Sequence, residues 1–358
     1  MPTAGKQIKG FCVFGKYFQA GLAASATGAS LHRTVQVHVA PFLPLMWLLL
    51  PRPRLPAGDR LHRRARIARG TTLQHADEKG KLLQENGIAI DSTGLMYVAD
   101  FGNHTVRKVT SAAVVTTFAG DPYTTGNTNG TGSGATFNNP SDVALDSTGN
   151  IYVADGVSSR IRKITPAAVV TTFAGSTSGY LDATGTSAQF NSPNGIAVDS
   201  LNNVFVADSS NHRIRKITPA GVVTTIAGST SGYLNATGTS AQLYAPFNLC
   251  IDSADNIYVA DRLNNRIRKI TPAGVVTTVA GSTSGYVDAT GTAARFNLPS
   301  DVAVDSSGNL YVADTGNNRI RKITLAGVVT TVAGSTSGYL DGLASVALFN
   351  QPKGIGVD

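Results

Sequence analysis

From Gly87 onward, apolar and polar positions change over every few residues, in runs too short for a helix and too regular for a linker. The unit from Ser300 to Ser335 shows the pattern. An apolar run at Val302–Val304 meets the turn Asp305-Ser306-Ser307-Gly308-Asn309, and a second run at Leu310–Ala313 meets Asp314-Thr315-Gly316-Asn317-Asn318. A third run, Arg319–Ile323, meets Thr324-Leu325-Ala326-Gly327, and Val328–Ala333 completes the unit. Runs of three to six residues joined by Gly, Asn and Asp predict a four-stranded antiparallel meander. The turn position of Gly308 is held elsewhere by Gly94, Gly149, Asn202 and Asp255. These types reach positive φ cheaply, so a left-handed residue is predicted there in every unit.

The segment ending in Ala-Asp recurs at Asp100, Asp155, Asp208, Asp261 and Asp314, at steps of 55, 53, 53 and 53 residues. A sixth copy begins at Pro352 and reaches only its first strand. A four-stranded sheet cannot bury two apolar faces alone, and repeats of this length solve the problem by packing blades around an axis. The short first strand suits the crowded centre and the Thr-rich fourth strand the outer edge. The expected fold is all-β: a propeller with five complete four-stranded blades and the first strand of a sixth. The blades fall near 87–120, 141–175, 194–228, 247–281 and 300–334, with a partial one at 352–358, as in a fragment of a six-bladed or larger ring. Long Gly-rich connections, such as Ser176–Pro193, link fourth strands to first strands.

Tyr311-Val-Ala-Asp-Thr-Gly-Asn-Asn-Arg-Ile-Arg-Lys-Ile-Thr324, preceded by Pro-x-Asp/Gly-Val/Ile-Ala-Val-Asp, resembles the NHL repeat, the unit of six-bladed propellers. The long connections are similar to those of bacterial-type, long-loop NHL proteins and unlike the compact repeats of RNA-binding relatives. The resemblance implies a binding or interaction module, exported to the cell surface or the extracellular space.

Charge divides the chain in two. Of its 30 Lys and Arg, 13 precede Gly87, but only 4 of the 22 acidic residues do, so the net charge of +8 belongs to the first 86 residues. That stretch, 1–86, matches nothing downstream and reads as an irregular basic leader, disordered or not native coding sequence. Its apolar run Ala40–Leu50 is 11 residues long and broken by prolines, too short for a transmembrane segment. Thr71-Thr72-Leu73 is its one faint candidate for a blade strand. The propeller part is neutral, and its Arg-x-Arg-Lys runs are split between strand faces and matched by Asp, so nucleic acid is not an expected partner. Two cysteines, Cys12 and Cys250, give no disulfide framework and no zinc spacing.

Regular residues report what the fold needs, so functional candidates are sought where the repeat is broken. Tyr180, Tyr233, Tyr286 and Tyr339 recur in the long loops and could form an aromatic ring facing a protein or glycan, or could pack each loop onto its blade. Arg262, Arg295 and Phe247 depart from their sister positions and are candidate ligand contacts. Asp142, Asn194, Asn248 and Asp301, at the start of inner strands, could set hard oxygens around one channel mouth, as Ca²⁺ prefers, although a turn-capping role is the simpler reading. Gluconolactonase-type propellers use such a ring. No other cofactor is expected, and no Ser/His/Asp set or phosphate loop is present. His104 and His212, replacing the second Asn of the Asn-Asn pair, read as surface variants. The function expected is non-enzymatic binding of a protein, glycan or small ligand on the long-loop face. The alternative is a lactonase-like hydrolase or lyase with a channel-mouth metal.

Overall fold

A computed structural model describes residues 11–13 and 85–357, with side chains from Gly87 to Val357. The expected leader, 1–86, lies almost wholly outside the described residues, as does Thr71–Leu73. Five antiparallel four-stranded sheets follow in chain order, each strand beside its sequence neighbour. In the third blade the strands are Pro193–Val198, Val204–Asp208, Arg213–Ile217 and Val223–Ala227. In the fifth they are Asp301–Val304, Leu310–Asp314, Arg319–Ile323 and Val329–Ala333, within a residue of the apolar runs. The turn residues Gly94, Gly149, Asn202, Asp255 and Gly308 all take positive φ, between 59° and 82°. Asx turns hold these hairpins: the Asp146 carboxylate accepts the N–H groups of Thr148 and Asn150 at 2.9 Å.

First strands of consecutive blades lie against one another around the axis. Gly354–Gly356, the first strand of the sixth unit, lies against the inner strands of both the fifth and the first blade. Its backbone also pairs antiparallel with Phe11–Val13. The cores lie between blades. Tyr152, Ala154 and Ile161 of the second blade meet Ile196, Val204 and Ile217 of the third, with Ala188 and Phe190 of the connecting loop wedged between them. Burying one such Phe contributes about 1.5–3 kcal/mol.

The long loop therefore belongs to the blade that follows it. It runs down that blade's outer edge, where Thr184 bridges Val222 and the Gly185 N–H donates to the Gly221 carbonyl. In the second blade the same segment, Gly130–Thr131, is a fifth strand. This covers the backbone groups that an outer strand leaves unpaired.

One network pins the loop in place. Asp208, at the end of the second strand, is fully buried and accepts three donors: Asn191 N–H from the loop, Asn211 Nδ2, and Arg215 Nη1 at 2.7 Å. Arg215, also fully buried, donates on to the loop carbonyls of Gln189 and Leu181 and to Asp182. The arrangement recurs at Asp155–Arg162, Asp261–Arg268 and Asp314–Arg321, and as an ion pair at Asp100–Arg107. A local turn cap accounts for only part of the bonding of these aspartates. The turn contributes one donor, and the guanidinium and a loop N–H 17 residues earlier supply the others. Burial pushes the Asp155 carboxyl up to about 6, against the pull of the Asn138 N–H and Arg162. Desolvation is thus the dominant cost of the pair.

His104 and His212 serve the same framework. Each imidazole Nδ1 accepts a backbone N–H at the entrance to the next blade, from Asn139 and Ala245 respectively. Asn265 and Asn318 use Oδ1 for the same bond.

Removing the aspartate should cost different amounts in different blades. Asp208→Ala leaves Arg215 paired with Asp182, whereas Asp261→Ala leaves Arg268 with only carbonyls and the neutral Asn235. Asp261→Ala is expected to lose about 3–5 kcal/mol and Asp208→Ala clearly less. Urea denaturation of both variants checks this, and equal losses would exclude the charge argument.

Candidate functional site

The short apolar motif that forms each inner strand begins with a residue aimed at the axis: Gly87, Asp142, Gly195, Asn248, Asp301 and Gly354 in chain order. Here glycine is required by space. A Cβ on Gly87 would stand 1.7 Å from Asp142 Oδ1, and one on Gly195 2.2 Å from Asn248 Oδ1. Asp142 and Asp301 are both buried. Asp142 accepts the Val143 N–H of its own strand and the Ile196 N–H of the next blade, at 2.8 and 2.9 Å. Asp301 accepts Val302 and Ile355 N–H groups in the same way. The Asn248 side chain bonds Asp142.

Burial raises the Asp142 carboxyl to about 7, although the Ile196 and Val143 N–H groups and Asn248 favour its charged form. Burial also raises Asp301 well above the usual carboxylate range, and the negative charge of Asp142 adds to the rise. Burial thus favours the protonated form of both carboxyls relative to an exposed carboxylate. Cys250, two residues beyond Asn248, packs partly buried between the fourth and fifth blades. Burial, with Asp301 and Asp252, pushes its thiol well above the ordinary range, so it is not a thiolate nucleophile.

Three of the four proposed metal ligands thus come together, and the fourth does not. Asn194 sits one position earlier on its strand, half-buried, with its carbonyl accepting the Ser141 hydroxyl. Among the described residues, no three His, Cys, Asp or Glu side chains stand close enough to hold a metal.

Phe247, one residue before Asn248, meets Arg262 at the end of its blade's second strand, with the guanidinium 5.0 Å from the ring centroid. Position 262 is held by Gly156, Ser209 and Thr315 in sister blades, where Ser209 and Thr315 donate to the Pro246 and Pro352 carbonyls of the next blade. Arg262 makes no salt bridge among the described residues, and its Nε is buried without a hydrogen-bond partner. Burial alone lowers its pKa. A half-buried cation stacked on an aromatic ring, with no carboxylate beside it, is the departure from the repeat that most resembles a ligand contact.

The tyrosines lie further out. Tyr180, Tyr233 and Tyr286 stack on Arg213, Arg266 and Arg319 at 3.8–3.9 Å and bond Thr225, Thr278 and Thr331 through their hydroxyls. Each fastens its loop to the next blade while remaining 42–44 % exposed. Tyr339, in the last loop, is 73 % exposed, and its hydroxyl bonds Asp341. Arg295 is exposed on its loop hairpin and joins neither group.

Sequence reasoning missed a cavity of about 400 Å³ on the same face of the second blade, lined by Asn127, Asn138, Ser158 and Arg160 among others. The only signal for it was the 55-residue first step.

The family description "NHL repeat" matches residues 86–109, 137–164, 190–217 and 296–323. Human Teneurin-4 is 26 % identical over 279 residues, covering 64 % of this chain and 10 % of that protein. Human NHL repeat-containing protein 2 is 30 % identical over 155 residues, 38 % of this chain and 21 % of that protein. The chain therefore spans about a tenth to a fifth of the length of these relatives. Among solved structures, an auxiliary nutrient binding protein from Bacteroides thetaiotaomicron superposes with a TM-score of 0.58 at 15 % identity, covering 76 % of this chain and 64 % of that one. That likeness concerns the fold.

The channel pair predicts an inverted pH response. The native state keeps protons that an unfolded carboxyl releases near 3.8, so this contribution is fully present below that value and is lost as pH rises through about 7. Asp142→Asn, the residue type already found at Asn248, removes the titrating group. Its thermal midpoint should fall less than that of the parent between pH 5 and 8.5. Parallel melting curves across that range would rule out a protonated channel pair.

Proposed function

Since this chain is an NHL-repeat β-propeller, and the regular part of each blade is committed to structure, we propose that it is a non-enzymatic binding module engaging its ligand on the long-loop face at the channel mouth. The observation that carries this reading is the Phe247–Arg262 pair. A guanidinium with no acid partner among the described residues, stacked on an aromatic ring, presents donors to a carboxylate, sulfate or phosphate group, and the ring offers an apolar surface beside it. The neighbour named for nutrient binding shares only the fold with this chain, so the reading rests on the local chemistry. The exposed faces of Tyr180, Tyr233, Tyr286 and Tyr339 form an outer rim for a protein or glycan reaching beyond the channel mouth.

The convergence of Asp142, Asn248 and Asp301 supports a second reading, a metal-dependent hydrolase or lyase. In that reading these three side chains supply oxygens to Ca²⁺, with Asn194 completing the set through a change in its strand. Against it, each carboxylate oxygen already accepts a backbone N–H, and carboxyls whose ionisation is opposed by burial are a poor ligand set for a divalent cation.

A calorimetric titration separates the two. On the binding reading, acetate and sulfate release heat with the parent chain, and Arg262→Ser, which copies Ser209, weakens both by about tenfold or more. Ca²⁺ then gives no specific heat. Anion binding unchanged in Arg262→Ser contradicts the channel-mouth reading. Stoichiometric Ca²⁺ uptake, lost in Asp142→Asn and Asp301→Asn, establishes the metal reading instead.

A further inference from the structure

The three later blades show what the first arginine of the third strand takes on its open face. Arg213, Arg266 and Arg319 each donate Nη1 to the carbonyl two residues earlier, at 2.6–2.8 Å, which fixes the guanidinium plane. On that plane lies the ring of Tyr180, Tyr233 or Tyr286. Arg160 of the second blade is set identically, donating Nη1 to the Ser158 carbonyl at 2.8 Å. No ring covers it. The loop register follows from Arg162, which donates to the Thr128 carbonyl and Asn129 as Arg215 does to Leu181 and Asp182. By that register Asn127 stands in the place of Tyr180. A second substitution widens the gap. Asn211, Asn264 and Asn317 each bond a loop carbonyl at 2.7–2.8 Å, whereas Ser158 makes only a 3.4 Å contact to Gly126.

The result is the cavity of about 400 Å³, open to solvent and lined by Gly126, Asn127, Asn138, Ser158, Arg160 and the start of the next loop at Ser176–Ser178. Tyr123, on the same loop, is 64 % exposed and does not line it. Thr172 occupies the place of Thr225, the hydroxyl that receives the tyrosine OH in the third blade.

We propose that this cavity is a binding site for a phenol ring supplied by another molecule, stacking on Arg160 where the sister blades stack their own tyrosine. Asn127, Asn138, Ser158 and Ser178 add polar partners at the rim. A free phenolic compound and a tyrosine side chain of a partner protein carry the same recognition chemistry. The site lies over the second blade and is independent of the Phe247–Arg262 pair in the fourth.

Ligand-observed NMR and calorimetry on the full chain test this with p-cresol, with cyclohexanol as the non-aromatic control, and with the peptide Ser-Gly-Tyr-Leu-Asp-Ala copied from the chain's own third-blade loop. Binding of p-cresol is expected with an affinity on the order of millimolar, and cyclohexanol should not bind. Asn127→Tyr restores the sister residue, which three blades already accommodate, and should abolish the signal. Arg160→Thr, which copies Thr105 of the first blade, should weaken it about tenfold. Arg262→Ser should leave it unchanged, which keeps this outcome separate from the channel-mouth reading. A peptide binding more than tenfold tighter than p-cresol identifies a protein partner, and equal affinities identify a small phenol. Equal binding of p-cresol and cyclohexanol, or p-cresol binding unaltered in Asn127→Tyr, would overturn the proposal.

Discussion

The buried Asp–Arg pair between second and third strands is the constraint on which the rest of the propeller depends. A fully buried carboxylate and guanidinium are costly to desolvate, and they are tolerated because loop and turn groups are directed at the carboxylate and at the Nη atoms, although Nε of Arg162 and Arg268 has no partner. Those partners are supplied by the preceding long loop: one N–H to the carboxylate, and two carbonyls and an Asp or Asn side chain to the guanidinium. The pair therefore orders a segment of about 18 residues that has almost no regular structure. Once ordered, that segment covers the blade's outer edge and drives Phe190 and its equivalents between blades.

A network repeated this faithfully leaves little room for function within itself. The Arg-x-Arg-Lys runs, which look basic when counted, are used up: one arginine in the pair, one beneath a tyrosine, and the lysine over an aromatic ring on the second strand. What differs between blades is small. Arg262, stacked on Phe247, makes no salt bridge among the described residues. Asn127 and Ser158 remove a ring and a side chain above Arg160. Gly87 and Gly195 make room for Asp142 and Asn248 in the channel. Each of these sites arises from one or two substitutions in a frame that the other blades hold unchanged. Variation at a site therefore does not require any change to the fold that carries it.

How much of this was legible in the sequence follows the distance over which each feature acts. Turns and strands act over a few residues. Gly94, Asn202 and Asp255 at one turn position announced positive φ, and the third-strand bounds at Arg319–Ile323 were read directly from the apolar run. The aspartate ending each second strand is visible in the sequence as a repeat marker, but its partner lies 7 residues ahead and its loop donor 17 behind, so the pattern does not disclose the pair. The meeting of Asp142 and Asp301 needed three blades of geometry. Asn194, adjacent to the axial position in sequence, was grouped with them because a one-residue step along a strand changes the direction of the side chain. The tyrosines were identified as exposed loop residues, but the arginines beneath them belong to the following blade, about 33 residues away. The empty place above Arg160 was hidden by two extra residues in the first connection, which shift Asn127 out of visible alignment with Tyr180.

Amide hydrogen exchange tests the central dependence most directly. The N–H groups of Asn138, Asn191, Tyr244 and Asn297 sit in irregular loops yet donate to the buried carboxylates at 2.7–2.8 Å. If the Asp–Arg pair organises the loops, these four amides exchange as slowly as those of the adjoining second strands, opening only when the blade opens. Exchange at the rate of the exposed loop amides around them would show that the loops are held by something other than this pair, and would contradict the account.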